Sequence, residues 1–317
     1  MEEIKVPIYL ISGFLESGKT SFLNFTLQQD YFSIKGKTLL ILCEEGEEEY
    51  DAKALAIKNT VIEVIENKED LTPEKLEAMD IIHQPERVVI EFNGMWLVSE
   101  FEQMKKPAGW GIEQEIVTVD ASTYQVYMAN MKSLFMDMVR NADMVVFNRC
   151  QEGDPLPQYR RGIKVANQRA EVIFENEEGE MDDIFQDELP FDINADFIEI
   201  LPEDYGIWFV DSMDNPENYV GKTLKFKARV MKPRGMGSKF FVPGRTAMTC
   251  CADDTTFLGY VCKSAYAPKL KPGAWVEVTA KAALEVRAEY QGEEGIVLYA
   301  ENVSLCDPLQ EEMVFFN

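Results

Sequence analysis

Residues 6–12 read VPIYLIS, residues 13–20 read GFLESGKT, and residues 21–29 read SFLNFTLQQ. An apolar strand, a glycine-bounded loop and a helix follow one another, which is the setting that the pattern G-x-x-x-x-G-K-[ST] requires. Gly13 and Gly18 permit positive φ and close backbone approach, so successive N–H groups can turn toward one anion. The helix that follows adds its positive N-terminal end. In this arrangement Lys19 reaches the β- and γ-phosphates of a nucleotide, and the Thr20 hydroxyl holds Mg²⁺. Gly13, Glu16, Ser17, Gly18, Lys19, Thr20 and Ser21 are therefore the expected phosphate contacts, with Lys19 also expected to be catalytic.

Outward from this loop, residues 1–174 alternate apolar runs with helical stretches. The runs are 6–12, TLLILC (38–43), RVVIEF (87–92), EIVTVD (115–120), MVVFN (144–148) and AEVIF (170–174), with helices expected at 72–83 and 122–141. Strands so continuously apolar are buried on both faces, which predicts an α/β P-loop domain with a mostly parallel sheet. Ligands of such sheets bind beyond the carboxyl ends of the strands. Residues 175–197 form an acidic linker, ENEEGEMDDIFQDELPFD at its start. From 198 to 317 the texture is short alternating runs, TLKFKARV, FLGYVC, WVEVTAKAALEV and GIVLYAENV, separated by Gly and Pro turns. That pattern predicts a small all-β domain, an OB-like barrel.

The balance of charge is acidic: 56 Asp and Glu against 31 Lys and Arg, a formal net charge of −25 over 317 residues. A nucleic-acid partner and an anionic membrane face both require a basic footprint, so neither is expected. No apolar stretch approaches the roughly 18 residues of a spanning helix, and MEEIK carries no signal-peptide core, so a cytoplasmic location is expected without membrane insertion. Six cysteines in a chain of this length point to free thiols or metal ligands rather than a disulfide scaffold.

Beyond the loop, the N-terminal half resembles the CobW/UreG-type P-loop GTPases. GFLESGKTSFLN (13–24) is similar to that family's GFLGxGKTTLLN, and CEEGEEEYD (43–51) to its NEFGExxxD, keeping Glu44, Gly46, Glu47 and Asp51. VVIEFNG (88–94) is similar to its IExxG, keeping Glu91 and Gly94, and TVDAS (118–122) to its VVDA strand end. ADMVVFNR (142–149) sits where the guanine-specificity segment NKxD belongs, which carries Asn148 and Arg149 over as base contacts. The resemblance implies GTP binding, slow hydrolysis, and work in delivering metal to a protein or managing cellular metal. Read from the residues, a carboxylate at Glu44 or Glu47 either meets Mg²⁺ directly or through water, or belongs to a solvated acidic turn. Glu45, Glu48 and Glu49 read as that turn. Glu91 closes a buried strand, where its charge needs a partner that Mg²⁺ or its water supplies, so it joins Lys19 as a catalytic candidate.

The departures from the family pattern are specific. Its CxCC metal motif is absent from NTVIEVIENKEDL (59–71), and Cys43 alone is too few ligands for tetrahedral zinc. His83, the single histidine, is expected at the end of a helix. Where NKxD has an Asp that accepts hydrogen bonds from guanine N1 and N2, this chain has Gln151, a neutral and weaker acceptor. GTP stays the expected nucleotide, ahead of ATP or relaxed specificity.

GRTAMTCCADDTTFLGYV (244–261) followed by LKPGAWVEVTA (270–280) resembles the soluble C-terminal domain of a family of membrane permeases. Cys250 and Cys251 are either one core and one half-exposed thiol or, with Asp253, Asp254 or Cys262, part of a site for Zn²⁺ or another transition metal. Two functions follow as expectations. One is an NTPase switch using GTP and Mg²⁺ in metal homeostasis, serving a metalloprotein client. The other is a non-catalytic nucleotide-sensing adaptor that docks on a permease or another partner. A phosphotransferase on the same loop has no acceptor-base motif behind it.

Overall fold

The computed structural model describes residues 4–44, 46, 48–181, 189–249 and 254–314. Glu47, Cys250, Cys251 and Asp253 lie outside the described residues. The chain forms two compact units, Met1–Leu156 with Ala166–Asp182, and Pro157–Val165 with Asp183–Asn317.

In chain order the first stretch contains β1 (Val6–Ser12), α1 (Lys19–Gln28), β2 (Thr38–Leu42), α2 (Ala52–Ile57), β3 (Thr60–Val64), α3 (Pro73–His83), β4 (Arg87–Glu91), α4 (Val98–Gln103), β5 (Trp110–Asp120), α5 (Ala121–Asn130), α6 (Lys132–Val139), β6 (Met144–Asn148), α7 (Leu156–Ala166), β7 (Glu171–Asn176) and β8 (Gly179–Glu180). The sheet order is β3-β2-β4-β1-β5-β6-β7-β8. The pairings from β3 to β7 are parallel; β8 closes the edge as an antiparallel hairpin with β7. β1 lies between β4 and β5, and its chain leaves toward β2, so the loop after Ser12 opens where the strand order reverses. That reversal is where open α/β sheets bind ligands. All five residues of β4 are buried, as are most of β1 and β2, which explains their unbroken apolar runs.

The sheet differs from the sequence expectation in identifiable places. β3 falls inside 59–71, where no strand is expected, because an edge strand with three half-buried residues carries little apolar signal. The helix expected at 122–141 is two helices that break at Met131 (φ −133°).

The second unit contains α7 residues 157–165 together with β9 (Phe197–Glu199), α8 (Tyr205–Asp214), β10 (Thr223–Met231), β11 (Phe240–Met248), β12 (Thr255–Gly259), β13 (Val261–Lys263), β14 (Trp275–Val286), β15 (Glu294–Leu305) and β16 (Met313–Val314). Strands β10, β11, β13, β15 and β14 pair in that order, and β14 returns to β10, so five strands close a barrel. β10 shows why: Leu224, Phe226, Ala228 and Val230 point inward while their neighbours face outward. A register shift between Thr279 and Ala280 bends β14 against β15. The core joins the inward side chains of the strands to the face of α8, where Trp208 meets Tyr205, Phe226 and Tyr260 at centroid distances of 5.1, 5.1 and 5.9 Å. α8 is absent from the sequence expectation because YGIWFVDSMD is apolar on nearly all sides and lacks helical periodicity.

Candidate functional site

The loop after β1 is built by its own residues and by three strand ends. Gly13 and Gly18 hold φ of 143° and 93°, which L side chains rarely adopt. A Cβ at Gly18 would stand 2.7 Å from Asn148 Nδ2, so no larger residue fits there. Glu16 also takes positive φ, 61°, a strained apex whose carbonyl accepts Arg149 Nη1 at 2.9 Å. Ser17 Oγ lies 2.8 Å from Thr118 Oγ1, and the Ser17 carbonyl accepts Asn148 Nδ2 at 2.7 Å. Asn148 and Arg149, expected at the base, therefore brace the back of the loop. Asn148 Oδ1 is buried without a hydrogen-bond partner. Arg149 also donates to Asp120 Oδ2 at 2.5 Å, which, with bonds from Ser122, holds the Asp120 carboxyl below its ordinary range despite partial burial.

Lys19 is 3% exposed and starts α1. Its Nζ donates to the carbonyls of Gly13 and Phe14, both at 2.9 Å, and pairs with Glu44 Oε2 at 2.6 Å. A buried ammonium needs such compensation. Glu44 is thus neither a solvated turn residue nor distant from the loop: its carboxylate sits where an anion meets Lys19. Thr20 Oγ1 donates to Glu91 Oε1 at 2.8 Å, and Tyr50 Oη donates to Glu91 Oε2. Burial pushes the Glu91 carboxyl above its ordinary range, while the Tyr50 and Thr20 hydrogen bonds and the Lys19 charge oppose that shift. A small cavity of about 40 Å³ is lined by Lys19, Thr20, Ser21, Glu44, Glu48 and Glu91 among others. Thr20, Glu44 and Glu91 therefore converge at one place.

Gly94 closes the opposite wall. A Cβ there would strike Phe14 Cα at 2.8 Å and the Gly13 carbonyl, so the segment after β4 lies directly on the loop. Asn93 ties that segment to the end of β2 through the Cys43 carbonyl at 3.1 Å. Asp51, carried over as a motif residue, caps α2 by accepting from Lys53 N and Ala54 N. Ser21 donates to Glu48, and so does Asn24 at 3.3 Å; Glu48, expected in a solvated turn, is exposed yet tied to α1.

Tyr50, Asp120 and Thr118 were not expected as site residues. Tyr50 and Asp120 lie within the stretches 43–51 and 118–122 that resemble family motifs, but their contacts with Glu91 and Arg149 emerge only in the tertiary structure.

The donor set at Thr20 and Glu91 is a hydroxyl and a carboxylate, hard oxygen ligands suited to Mg²⁺. Soft-metal ligation finds no such set: among the described residues no group of three or more His, Cys, Asp and Glu is placed to hold a metal. The Cys43 thiol is pushed up to about 12, first by burial and then by Glu91 and Glu44, so it stays protonated near neutrality. His83 ends α3, as expected, and its Nε2 lies 2.7 Å from Glu63. Among the described residues no helix is long and apolar enough to cross a membrane.

Fold and loop together define a P-loop nucleotide-binding unit followed by an all-β unit. The CobW/HypB/UreG nucleotide-binding domain family matches residues 7–174, and the DUF1980 C-terminal domain matches residues 176–311. The chain belongs to the CobW/HypB/UreG family. Among solved structures it is similar to the zinc-bound YjiA GTPase of E. coli, with 22% identity over 57% of this chain and a TM-score of 0.42. It spans 60% of that protein's length. The hydrogenase maturation factor HypB of Archaeoglobus fulgidus is similar at 18% identity, over 54% of this chain and 82% of that one, with a TM-score of 0.41. No curated protein matches the chain.

Proposed function

We propose that the first unit is a Mg²⁺-dependent GTPase switch whose nucleotide state the second unit reads, acting in metal delivery or metal homeostasis. The observation that carries the nucleotide part is the convergence of Lys19, Thr20 and Glu91 on one cradle, with Glu44 paired to Lys19 at 2.6 Å. Lys19 would neutralise phosphate oxygens and orient them. Thr20 and Glu91 would hold the cation, which supplies charge neutralisation at the β- and γ-phosphates when bound. Glu44 would leave Lys19 as phosphate arrives, while Gly94 packs against the start of the loop at Gly13 and Phe14. The segments 43–51 and 91–94 would be the elements that change. Among the described residues no glutamine lines the cradle, and the arginine that does, Arg149, is held by the Glu16 carbonyl and Asp120, which supports slow turnover without a partner.

The metal role follows from family membership, not from a described ligand set. The barrel strands and their order support an OB-like reading of the second unit, and its Cys250-Cys251 pair is the candidate for Zn²⁺ or another transition metal. Elemental analysis of protein purified without chelator, wild type against Cys250→Ser, tests that part; metal-free wild type after loading ends it.

The alternative is a non-catalytic adaptor that binds nucleotide and docks on a permease or another partner, with location in the cytoplasm. Gln151 in place of the family Asp favours it. Calorimetric titration of GTP and ATP with and without Mg²⁺ tests the nucleotide reading shared by both. Mg²⁺-dependent binding that Lys19→Ala abolishes is expected; no binding by the wild-type chain would sink both.

A further inference from the structure

Gln151 stands where the family carries its base-reading Asp, yet it is exposed and turned out of the site. Its main-chain N–H bonds Asp154 Oδ2 at 2.8 Å, closing a turn that carries residues 151–154 away. A different carboxylate lies beside the site. β6 and β7 run parallel with Phe147 opposite Phe174 and Val146 opposite Ile173. One step further along both strands come Asn148 and Glu175, on the face shared by Val146 and Ile173. The Cys150 N–H bonds the Glu175 carbonyl at 3.0 Å, which fixes the loop after β6 to this point of β7.

Asn148 and Glu175 line one cavity of about 670 Å³, together with Gly18, Ser21, Phe22 and Arg149. Gln151 does not line it. The cavity runs over the sheet face between β1, β5, β6 and α1 as far as Tyr31 and Phe32. Its polar corner at Gly18, Ser21, Asn148, Arg149 and Glu175 adjoins the phosphate cradle, on the side to which the base of a nucleotide held by Lys19 would extend. Glu175 is half-buried and forms no ion pair among the described residues, and burial followed by the Glu180 charge holds its carboxyl above the ordinary range. A ligand offering paired N–H donors would relieve both conditions. Asn148 Oδ1, buried and unpartnered, is a second polar atom in the same corner.

We infer that Glu175 is the specificity-determining acceptor for the base, taking the N1–H and N2–H of guanine in place of the residue missing at 151. This rests on the nucleotide reading above. A carboxylate presents two acceptors side by side, which matches guanine's two adjacent donors. Adenine presents an acceptor at N1, which faces the carboxylate unfavourably, so discrimination arises by repulsion as well as attraction. Glu177, in the turn after β7, lines the same cavity but is exposed, so it serves as the control carboxylate.

The test is calorimetric binding of GDP, ADP and XDP to the full chain, as wild type, Glu175→Gln, Glu177→Gln and Gln151→Asp, with a thermal melt of each to show folding. Wild type is expected to prefer GDP over ADP by about 100-fold or more, the scale at which hydrogen-bonding sites discriminate. Glu175→Gln should lose GDP affinity by about 50-fold and gain XDP affinity, because its amide can donate to xanthine O2 while its carbonyl accepts N1–H. Glu177→Gln and Gln151→Asp should keep the wild-type ranking. A folded Glu175→Gln with the wild-type GDP:ADP:XDP ranking overturns the inference alone. So does a Gln151→Asp that gains guanine preference while Glu175→Gln changes nothing. A wild-type chain that binds no nucleotide at all removes the underlying reading, and this inference with it.

Discussion

The Thr20 hydroxyl donates to the Glu91 carboxyl at 2.8 Å, joining the first turn of α1 to the end of β4. These residues are 71 apart in the chain, and the parallel sheet brings them together. The pair is the proposed Mg²⁺ ligand set. Thr20→Ala and Glu91→Gln should each lower Mg²⁺-dependent phosphate release by about 100-fold or more, as loss of a transition-state charge stabiliser does. Glu91→Gln should barely change the melting temperature, since it removes a charge that burial already penalises. A Glu91→Gln variant with wild-type turnover would separate this carboxylate from the chemistry.

The Lys19–Glu44 pair makes a different prediction. Breaking a buried ion pair from one side leaves the other charge uncompensated and costs about 3 kcal/mol. Two carbonyls still hold Lys19, so that figure is an upper bound for Glu44→Ala. The variant should melt earlier than wild type without nucleotide, and the gap should close when nucleotide is added, because phosphate replaces Glu44 at Lys19. Differential scanning calorimetry with and without GDP measures it; a gap that widens on adding GDP would show that Glu44 supports the bound state.

Glu115 sets a pH dependence in the first unit. It is 7% exposed on β5, and burial, then Glu102 and Asp143, push its carboxyl from 4.5 up to about 8, against the Lys106 charge. The folded chain therefore keeps this proton at pH values where the unfolded chain has lost it. Its stabilising contribution is full below about 4.5 and is lost as pH rises toward about 8. Glu115→Gln should remove that slope and be more stable than wild type at alkaline pH. Urea titrations across this range check it; parallel curves for the two proteins would contradict it.

How much of this was legible in the sequence differs residue by residue. The cradle was, because phosphate imposes the spacing of Gly13, Gly18, Lys19 and Thr20 on a contiguous stretch. Glu91 was, because a charge closing an apolar strand is conspicuous. Tyr50 was not, because a loop residue after β2 reaches the end of β4 only in the fold, and the placement of Glu175 beside Asn148 was not, because it depends on the register of β6 and β7. The barrel was legible from its alternation, as in β10, whereas α8 was not, since a helix buried on most sides loses the period that marks helices. Glu47, Cys250 and Cys251 lie outside the described residues, so their readings stand as expectations.

In the second unit, Arg245 is 2% exposed. Its guanidinium donates to the carbonyls of Pro202, Glu311 at 2.9 Å and Met313 at 3.2 Å, tying β16 to β11 and to the turn before α8. Arg245→Met should cost about 2–4 kcal/mol by leaving these carbonyls unpaired. Hydrogen exchange should accelerate at β16 before the helix α8 is affected. Uniform acceleration across the unit would show that Arg245 supports the whole barrel instead.

The central claim is that this cradle hydrolyses a nucleoside triphosphate under control of Lys19, Thr20 and Glu91. Single-turnover phosphate release from GTP with Mg²⁺ tests it most directly, comparing the wild-type chain with Lys19→Ala. The account predicts slow release by wild type and none above background by Lys19→Ala. Equal release by the two proteins, or none by either while GTP binds, would contradict it.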